Sequence, residues 1–350
     1  MAPKKTNSDQ ARPDGRVTAK DVARSLGVSI STVSRAFTDD AIIKDSTRER
    51  VLAEASRLGY TPDSLARGLI TRRSRIAGIA VAHLNNPFYP EVLASLTRQL
   101  NEHNLQIMVF FAGPGRKVDE ALPTLLQYNP DVAIVLAATL SSSAIEACEQ
   151  AGTPVILFNR YIPDSRLPAV CCDNFLGGQQ AANLLLDGGH RRFAYISGLA
   201  DTSTNVDRMR GFVDQLAARN APPPLIEEGG DFSYQGGYDA MLRIKSKNPE
   251  IDAVFCANDI VALGALDAAR GELGLAIPDD LSVVGFDDIS MASWPGFSLT
   301  TIKQPADQMI RLTVGKVEAL LAGDDEVIDQ SFLPGEVIKR STTRKGGVQE

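Results

Sequence analysis

The sequence predicts a small all-α helix-turn-helix head followed by an α/β body of two Rossmann-like parallel-sheet lobes. Three observations carry this. Two short helical segments meet at Gly27, near the start of the chain. From Ile76 onward, strand-length apolar runs alternate with helix-length segments in two successive series. Charge divides along the same line. Residues 1–75 hold 15 Lys/Arg against 9 Asp/Glu, a balance of +6, while the remainder holds 21 against 34, a balance of −13. A basic head on an acidic body indicates that only the head meets a polyanion. A chain of 350 residues has room for two or three domains.

Residues 1–15 are polar, contain Pro and Gly, and read as a disordered extension. Their first ten residues lack the apolar stretch of a signal peptide, and no run approaches a membrane span, so a cytoplasmic chain with no membrane partner is expected. The head runs over 16–61. Thr18 and Asp21 have the spacing of a capping box that opens a first helix, and Gly27 closes it. Ser29 is placed to cap a second helix. Ser46-x-x-Glu49 opens a third, about Ser46 to Leu58, with Val51, Ala55 and Leu58 on one face. Two helices joined by a tight turn form a helix-turn-helix, whose second helix fits the DNA major groove. A linker follows over 62–74. Its segment Asp63 to Ile70 is too short to be a stable helix alone, and Gly68 weakens it further.

The body occupies 75–350. Strands are expected at Ile76–Val81, Gln106–Phe111, Val132–Leu136, Val155–Phe158, Phe193–Ile196, Ala253–Cys256 and Ser282–Phe286, with helices between them. The intervening helices include Glu91–Glu102, Val118–Tyr128, Val206–Arg219 and Asp259–Gly271. Such alternation makes parallel sheets with right-handed crossovers. Two series make two lobes and a cleft, a common ligand location. Cys148, Cys171, Cys172 and Cys256 form no Cys-x-x-Cys pair and read as reduced, buried thiols. His83, His103 and His190 have no ligand spacing, so neither a metal site nor a cofactor is expected. No nucleophile elbow, Walker loop or complete dinucleotide fingerprint is present; catalytic residues are not expected, and the chain does not read as an enzyme.

The head's spacing is more specific than a helix-turn-helix alone. Thr18-x-x-Asp21-Val22-Ala23, Gly27-Val28-Ser29, Thr32-Val33-Ser34-Arg35, Thr47-Arg48, Gly59-Tyr60-x-Pro62 and Leu65-Ala66-Arg67-Gly68-Leu69 together resemble the LacI/GalR family of sugar-responsive repressors. The resemblance continues along nearly the whole chain. It implies a periplasmic-binding-protein-like type I body and a homodimer that binds a near-palindromic operator. It also implies interleaved lobes, about 75–170 with 304–332 and about 171–303 with 333–344. Thr18, Ser29, Ile30, Ser31, Thr32, Ser34, Arg35, Arg67 and Leu69 are the implied DNA contacts. Ile30 and Ser31 stand where the family reads base edges, and Arg35 reaches a base or phosphate. An arginine paired with guanine discriminates by about 1–3 kcal/mol. Ile30 has a second reading, packing inward with Val33. Leu69 matches the family's minor-groove wedge, which unstacks a base step; covering the body is its other reading.

The resemblance places ligand contacts at Phe88, Tyr89, Asn159, Arg160, Thr204, Arg208, Phe232, Asn258, Asp259 and Asp287. Their chemistry suits a polyhydroxylated effector. Carboxylates accept from hydroxyls, Arg208 and Asn258 donate, and aromatic rings cover a sugar's apolar face. Arg160 and Arg208 together could clamp a carboxylate or phosphate. A sugar or sugar acid is therefore expected, ahead of a sugar phosphate or purine. Core packing is the other reading of the aromatic residues, and a cap or turn role that of Asp287.

Overall fold

The computed structural model describes residues 17–37, 42–61, 73–82, 84–112, 118–136, 140–324 and 329–345. The segment 62–72, with Arg67 and Leu69, lies outside the described residues, as does the N-terminal extension. The chain divides into two compact units, Met1–Ser74 and Arg75–Glu350.

The first unit holds α1 (Ala19–Leu26), α2 (Ile30–Ala36) and α3 (Asp45–Leu58). Val22, Ala23, Val33, Ala36, Val51 and Ala55 form its core, one small set from each helix. Gly27 and Gly59 end α1 and α3 in the left-handed region, at φ of 66° and 72°, where glycine carries no Cβ penalty. The start of α3 departs from the expected cap. The helix begins at Asp45 after Lys44, with no side-chain cap bond, and Ser46 lies inside its first turn. Asp45 supplies negative charge at the helix's positive end instead.

The second unit begins with β1 (Ile76–Val81), α4 (Phe88–Glu102), β2 (Gln106–Phe111), α5 (Leu122–Leu126), β3 (Val132–Leu136), α6 (Ser142–Gln150), β4 (Val155–Phe158) and β5 (Ala169–Cys172). It continues with α7 (Asn174–Asp187), β6 (Phe193–Ser197), α8 (Ser203–Ala218), β7 (Leu225–Glu228), α9 (Tyr234–Lys247), β8 (Ala253–Cys256), α10 (Asp259–Asp267) and β9 (Ser282–Asp287). The last elements are β10 (Thr300–Lys303), α11 (Ala306–Ala322), β11 (Gln330–Leu333) and β12 (Glu336–Ile338).

Among the described residues, two six-stranded sheets form. Their orders are β11-β5-β4-β3-β1-β2 in the N-lobe and β12-β10-β9-β8-β6-β7 in the C-lobe. Pairing is parallel except between β10 and β12. The inner strands are buried throughout except at Lys303, the last residue of β10, as the continuous apolar runs require when helices cover both faces. In β3, Val132, Ile134 and Leu136 enter one core and Ala133 and Val135 the other. The chain passes between lobes after β5, after β10 and between β11 and β12.

Five strands stand outside the expected set: β5, β7, β10, β11 and β12. β7 is an edge strand with alternating exposure behind Pro222-Pro223-Pro224, and β5 is only four residues long. The helix expected over Val118–Tyr128 is a 3-10 turn at Val118–Glu120 and then the short α5. Pro123 explains the break, because its ring is tolerated in a first turn but not in a helix interior. The helix expected over Asp259–Gly271 leaves α geometry after Asp267 and closes in a π turn at Ala268–Glu272. Helices α4 and α8 start about a turn earlier than their apolar pattern implies; Thr202 caps α8 by accepting from the Asn205 amide.

Candidate functional site

In the head, the Ser29 hydroxyl accepts from the Thr32 amide at 3.1 Å and fixes the start of α2. Ser29 Oγ also lies 2.7 Å from Ser31 Oγ and 2.8 Å from Thr32 Oγ1. Arg48, from α3, donates to the Ala36 carbonyl at 3.1 Å and ties down the other end of α2. Val33 and Ala36 face the core, so Ile30, Ser31, Ser34 and Arg35 face outward. Ile30 is 52% exposed while Val33 is fully buried, which settles Ile30's orientation against inward packing. Thr18 spends its polar groups locally. Its amide and hydroxyl both donate to Asp21 Oδ2, at 2.9 and 2.6 Å.

In the body, loops at the strand ends carry the expected cleft residues. Asp287 ends β9 with φ of 120°, and Asn159, directly after β4, has φ of 68°. Asp287 is almost fully buried and accepts from three directions: Asn86 Nδ2 at 2.9 Å, Gln304 Nε2 at 2.7 Å and Arg208 Nη2 at 3.5 Å. Asn86 belongs to the N-lobe and Gln304 to a crossing between lobes, so this carboxylate ties the lobes together. Burial raises the Asp287 pKa, against the opposing pull of Arg208.

Arg208, on α8, has a partner at each of its three guanidinium nitrogens. Nε donates to Asn174 Oδ1 at 2.8 Å and Nη1 to the Ala257 carbonyl at 2.5 Å. Its guanidinium lies 3.6 Å from the centre of the Phe286 ring. Arg160 differs. It is 5% exposed, its Nε has no hydrogen-bond partner, and its guanidinium stands 6.0 Å over Phe232. Burial lowers its pKa, and Arg208 nearby adds to that. Asn159 donates to the Tyr89 hydroxyl at 3.0 Å, leaving its own Oδ1 unpartnered. Gln304 Oε1 is likewise buried and unpartnered. Tyr89 feels the charges of Arg160, Asp287 and Arg208, while burial dominates and raises its hydroxyl pKa.

The structure therefore brings Tyr89, Asn159, Arg160, Arg208, Phe232 and Asp287 into one neighbourhood. Phe88 is buried edge-on to Tyr89, with ring centres 5.3 Å apart, and belongs to the core. Thr204 lies buried in the first turn of α8, its hydroxyl on Thr202 Oγ1 at 3.4 Å. Asn258 caps α10 through the Val261 amide at 2.9 Å. Asp259 stands apart from the expectation. Its carboxylate accepts from Thr301 Oγ1 at 2.5 Å and from the Ile289 amide at 2.9 Å, inside the C-lobe. It is fully buried, and burial raises its pKa well above the usual carboxylate range. Sequence reasoning missed Asn86, Asn174, Gln304 and the Phe286 ring. Asn86 had a signal in the Asn-Pro turn before Phe88-Tyr89; Asn174 and Gln304 lie at lobe crossings, where no local pattern marks them.

A helix-turn-helix head with an exposed second-helix face, joined to a two-lobed α/β body whose strand-end loops gather buried polar side chains, is the architecture of a ligand-controlled DNA-binding regulator. The family model "Bacterial regulatory proteins, lacI family" matches residues 18–63, and a "Periplasmic binding protein-like domain" matches 182–343. The ribose operon repressor of Haemophilus influenzae is 32% identical over 301 residues, covering 85% of this chain and 90% of that one. The transcriptional regulator CelR of Thermobifida fusca is 31% identical over 314 residues, covering 86% and 92%. The lac repressor dimer bound to operator and the anti-inducer ONPF superposes with a TM-score of 0.85 at 26% identity, over 94% of this chain and 100% of that one. The chain belongs to the LacI family of bacterial transcriptional regulators. Among the described residues, no helix is long and apolar enough to cross a membrane, and no His/Cys/Asp/Glu group could hold a metal ion.

Proposed function

We propose that this regulator is a cytoplasmic repressor that binds a near-palindromic operator as a homodimer and answers to a small carbohydrate in the interlobe cleft. The observation that carries the ligand class is a group of three buried, unpartnered polar atoms among the cleft residues, Arg160 Nε, Asn159 Oδ1 and Gln304 Oε1; among the described residues, Gln180 Oε1 and His190 Nδ1 are the two others of this kind. Each costs about 1–3 kcal/mol when left unmade. One donor beside two acceptors is the complement of hydroxyl groups, which both give and receive. Relatives and solved structures point the same way. They include ribose operon repressors, a CelR–cellobiose complex and an Enterococcus faecium family member with bound ribose.

The contact set is Tyr89, Asn159, Arg160, Phe232 and Asp287, with Thr204 and Asn258 at its helix ends and Arg208 holding Asp287. Asp259 is assigned to the C-lobe interior. Because Arg208 is committed to Asp287, a carboxylate would meet Arg160 alone. A neutral sugar therefore fits better than a sugar acid, and a doubly charged sugar phosphate fits worst.

An enzymatic role is not supported. Among the described residues, the nearest approach to a catalytic triad is Ser282, His190 and Asp252. Ser282 Oγ is 2.7 Å from His190 Nε2, and His190 Nδ1 faces Asp252 at 3.4 Å, an electrostatic contact rather than a hydrogen bond. Ser282 is fully buried and also accepts from the Arg344 amide at 3.1 Å, so no substrate reaches it.

In the head, Ile30, Ser31 and Arg35 are the base-reading positions, Ser34 and Thr32 meet phosphate, and Leu69 wedges into the minor groove. A Leu69→Ala variant is expected to bind operator weakly and bend it less, read by circular-permutation mobility; unchanged bending removes the wedge. The ligand class is tested by thermal shift against D-ribose, cellobiose, D-glucuronate and ribose 5-phosphate. A ligand at about a hundred times its dissociation constant adds roughly 2.7 kcal/mol. A shift with a neutral sugar that Arg160→Ala abolishes is the expected result. A shift with ribose 5-phosphate alone, or with no compound, overturns the reading.

A further inference from the structure

We propose that Tyr161 clasps the two lobes from beside the cleft and, through its peptide bond to Arg160, positions that arginine for the ligand. Tyr161 follows Arg160 in the loop between β4 and β5. Its ring is part of the N-lobe, packed on that lobe's second core and edge-on to Phe332 of β11, with ring centres 5.2 Å apart. Both of its hydrogen-bond donors nevertheless reach the C-lobe. The hydroxyl donates to Asp207 Oδ2 at 2.9 Å, and the amide donates to Ser203 Oγ at 3.2 Å. Ser203 and Asp207 lie four residues apart on α8 and so share a helix face.

Two attachments to one helix fix orientation as well as distance. The acceptor is itself held inside the C-lobe: Arg210 pairs with Asp207 at 3.4 Å and lies 4.8 Å over the Phe175 ring. Burial, and then the Asp207 bond, push the Tyr161 hydroxyl pKa up to about 12, so it stays a donor. The amide bonded to Ser203 belongs to the planar peptide unit that includes the Arg160 carbonyl. Anchoring that plane on α8 sets where the Arg160 side chain leaves the backbone. Separating the lobes must break both bonds. The clasp therefore adds to the joined state without touching the ligand, and apparent ligand affinity scales with the population of that state. Only this last step rests on the carbohydrate reading.

The test uses the full-length chain with spin labels at Glu146→Cys on α6 and Lys247→Cys on α9, both exposed positions on opposite lobes. The four native cysteines are buried, so the introduced thiols label first. Without any sugar, the wild type is expected to give a narrow inter-lobe distance distribution. Tyr161→Phe and Asp207→Ala should broaden and lengthen it, while Asp207→Asn, which keeps an acceptor, should preserve it. A sugar that shifts the wild-type melting temperature, with D-ribose and cellobiose as probes, should bind Tyr161→Phe about tenfold more weakly. Wild-type distances in both Tyr161→Phe and Asp207→Ala overturn the clasp. Clasp-dependent distances with no response to any sugar support the clasp and overturn the carbohydrate reading instead.

Discussion

Arg160 and Arg208 stand close in sequence role and far apart in physical role. Both are buried, yet every guanidinium nitrogen of Arg208 has a partner while Nε of Arg160 has none. Removing Arg208 leaves Asp287 as a buried charge without its cation, a loss of about 3–5 kcal/mol for pairs of this kind. Arg208→Ala should therefore lower the melting temperature strongly even without ligand, whereas Arg160→Ala should melt near the wild type and lose sugar affinity. Equal melting of the two variants would contradict this division. The sequence could nominate both arginines but could not divide their labour. The partners of Arg208 are 34, 49 and 79 residues away, and no local spacing reports them. On the head, Arg35 projects from an exposed helix face and contributes nothing to the core. Arg35→Ala should keep the fold and weak binding to random DNA while losing operator preference, measured by competition between the two. A parallel loss on both DNAs would make Arg35 a phosphate contact.

Helices α7 and α8 approach so closely that side chains are excluded from their crossing. A Cβ at Gly178 would lie 2.2 Å from the Arg208 carbonyl oxygen, and one at Gly211 would lie 2.0 Å from that of Phe175. Gly178→Ala should destabilise by about 1–3 kcal/mol, the cost of overpacking, and should weaken sugar binding because the backbone it pushes is that of Arg208. Denaturant melts and ligand titration read the two effects together. The segment after β12, residues 339–345, packs back on the C-lobe through bonds from Arg340, Thr342 and Arg344. The Arg344 amide, Ser282 and His190 form one buried chain of bonds. Burial lowers the His190 pKa from its ordinary 6.5, so the unfolded chain takes the proton more readily. Stability is then lost as pH falls below about 6.5. Asp259 and Asp287, whose pKa values burial raises, act in the opposite sense. A His190→Gln variant keeps both, so its melting temperature should fall less than the wild type's between about pH 7.5 and 5.5. At this scale much was legible. Core strands such as β1, β3 and β8 showed as unbroken apolar runs because both faces are buried. The edge strand β7 did not, since half of it faces solvent and a proline run precedes it. Helix starts were misjudged where capping by Thr202, rather than apolar spacing, sets the first turn.

At the scale of the whole molecule, charge and fold divide within one residue of each other. The boundary between compact units falls between Ser74 and Arg75. Residues 1–75 carry a balance of +6 and the rest −13. Each cation that neutralises a phosphate releases a condensed counterion, so affinity for DNA falls with salt in proportion to the phosphates met. If the head alone meets DNA, the full chain should bind random duplex with a steep salt dependence. A body lacking residues 1–75 should bind none at any salt, because its acidic surface repels the backbone. That same body should keep the sugar affinity of the full chain, since Tyr89, Asn159, Arg160, Phe232 and Asp287 and all their hydrogen-bond partners lie beyond the boundary. Fluorescence anisotropy across a salt series and calorimetric sugar titration measure the two properties on the same pair of proteins. Salt-sensitive DNA binding by the body would place a second polyanion surface outside the head. A body that folds but loses the sugar would show that the head, through the segment 62–74, helps to shape the cleft, and that coupling would be the reciprocal of the ligand's action on operator affinity.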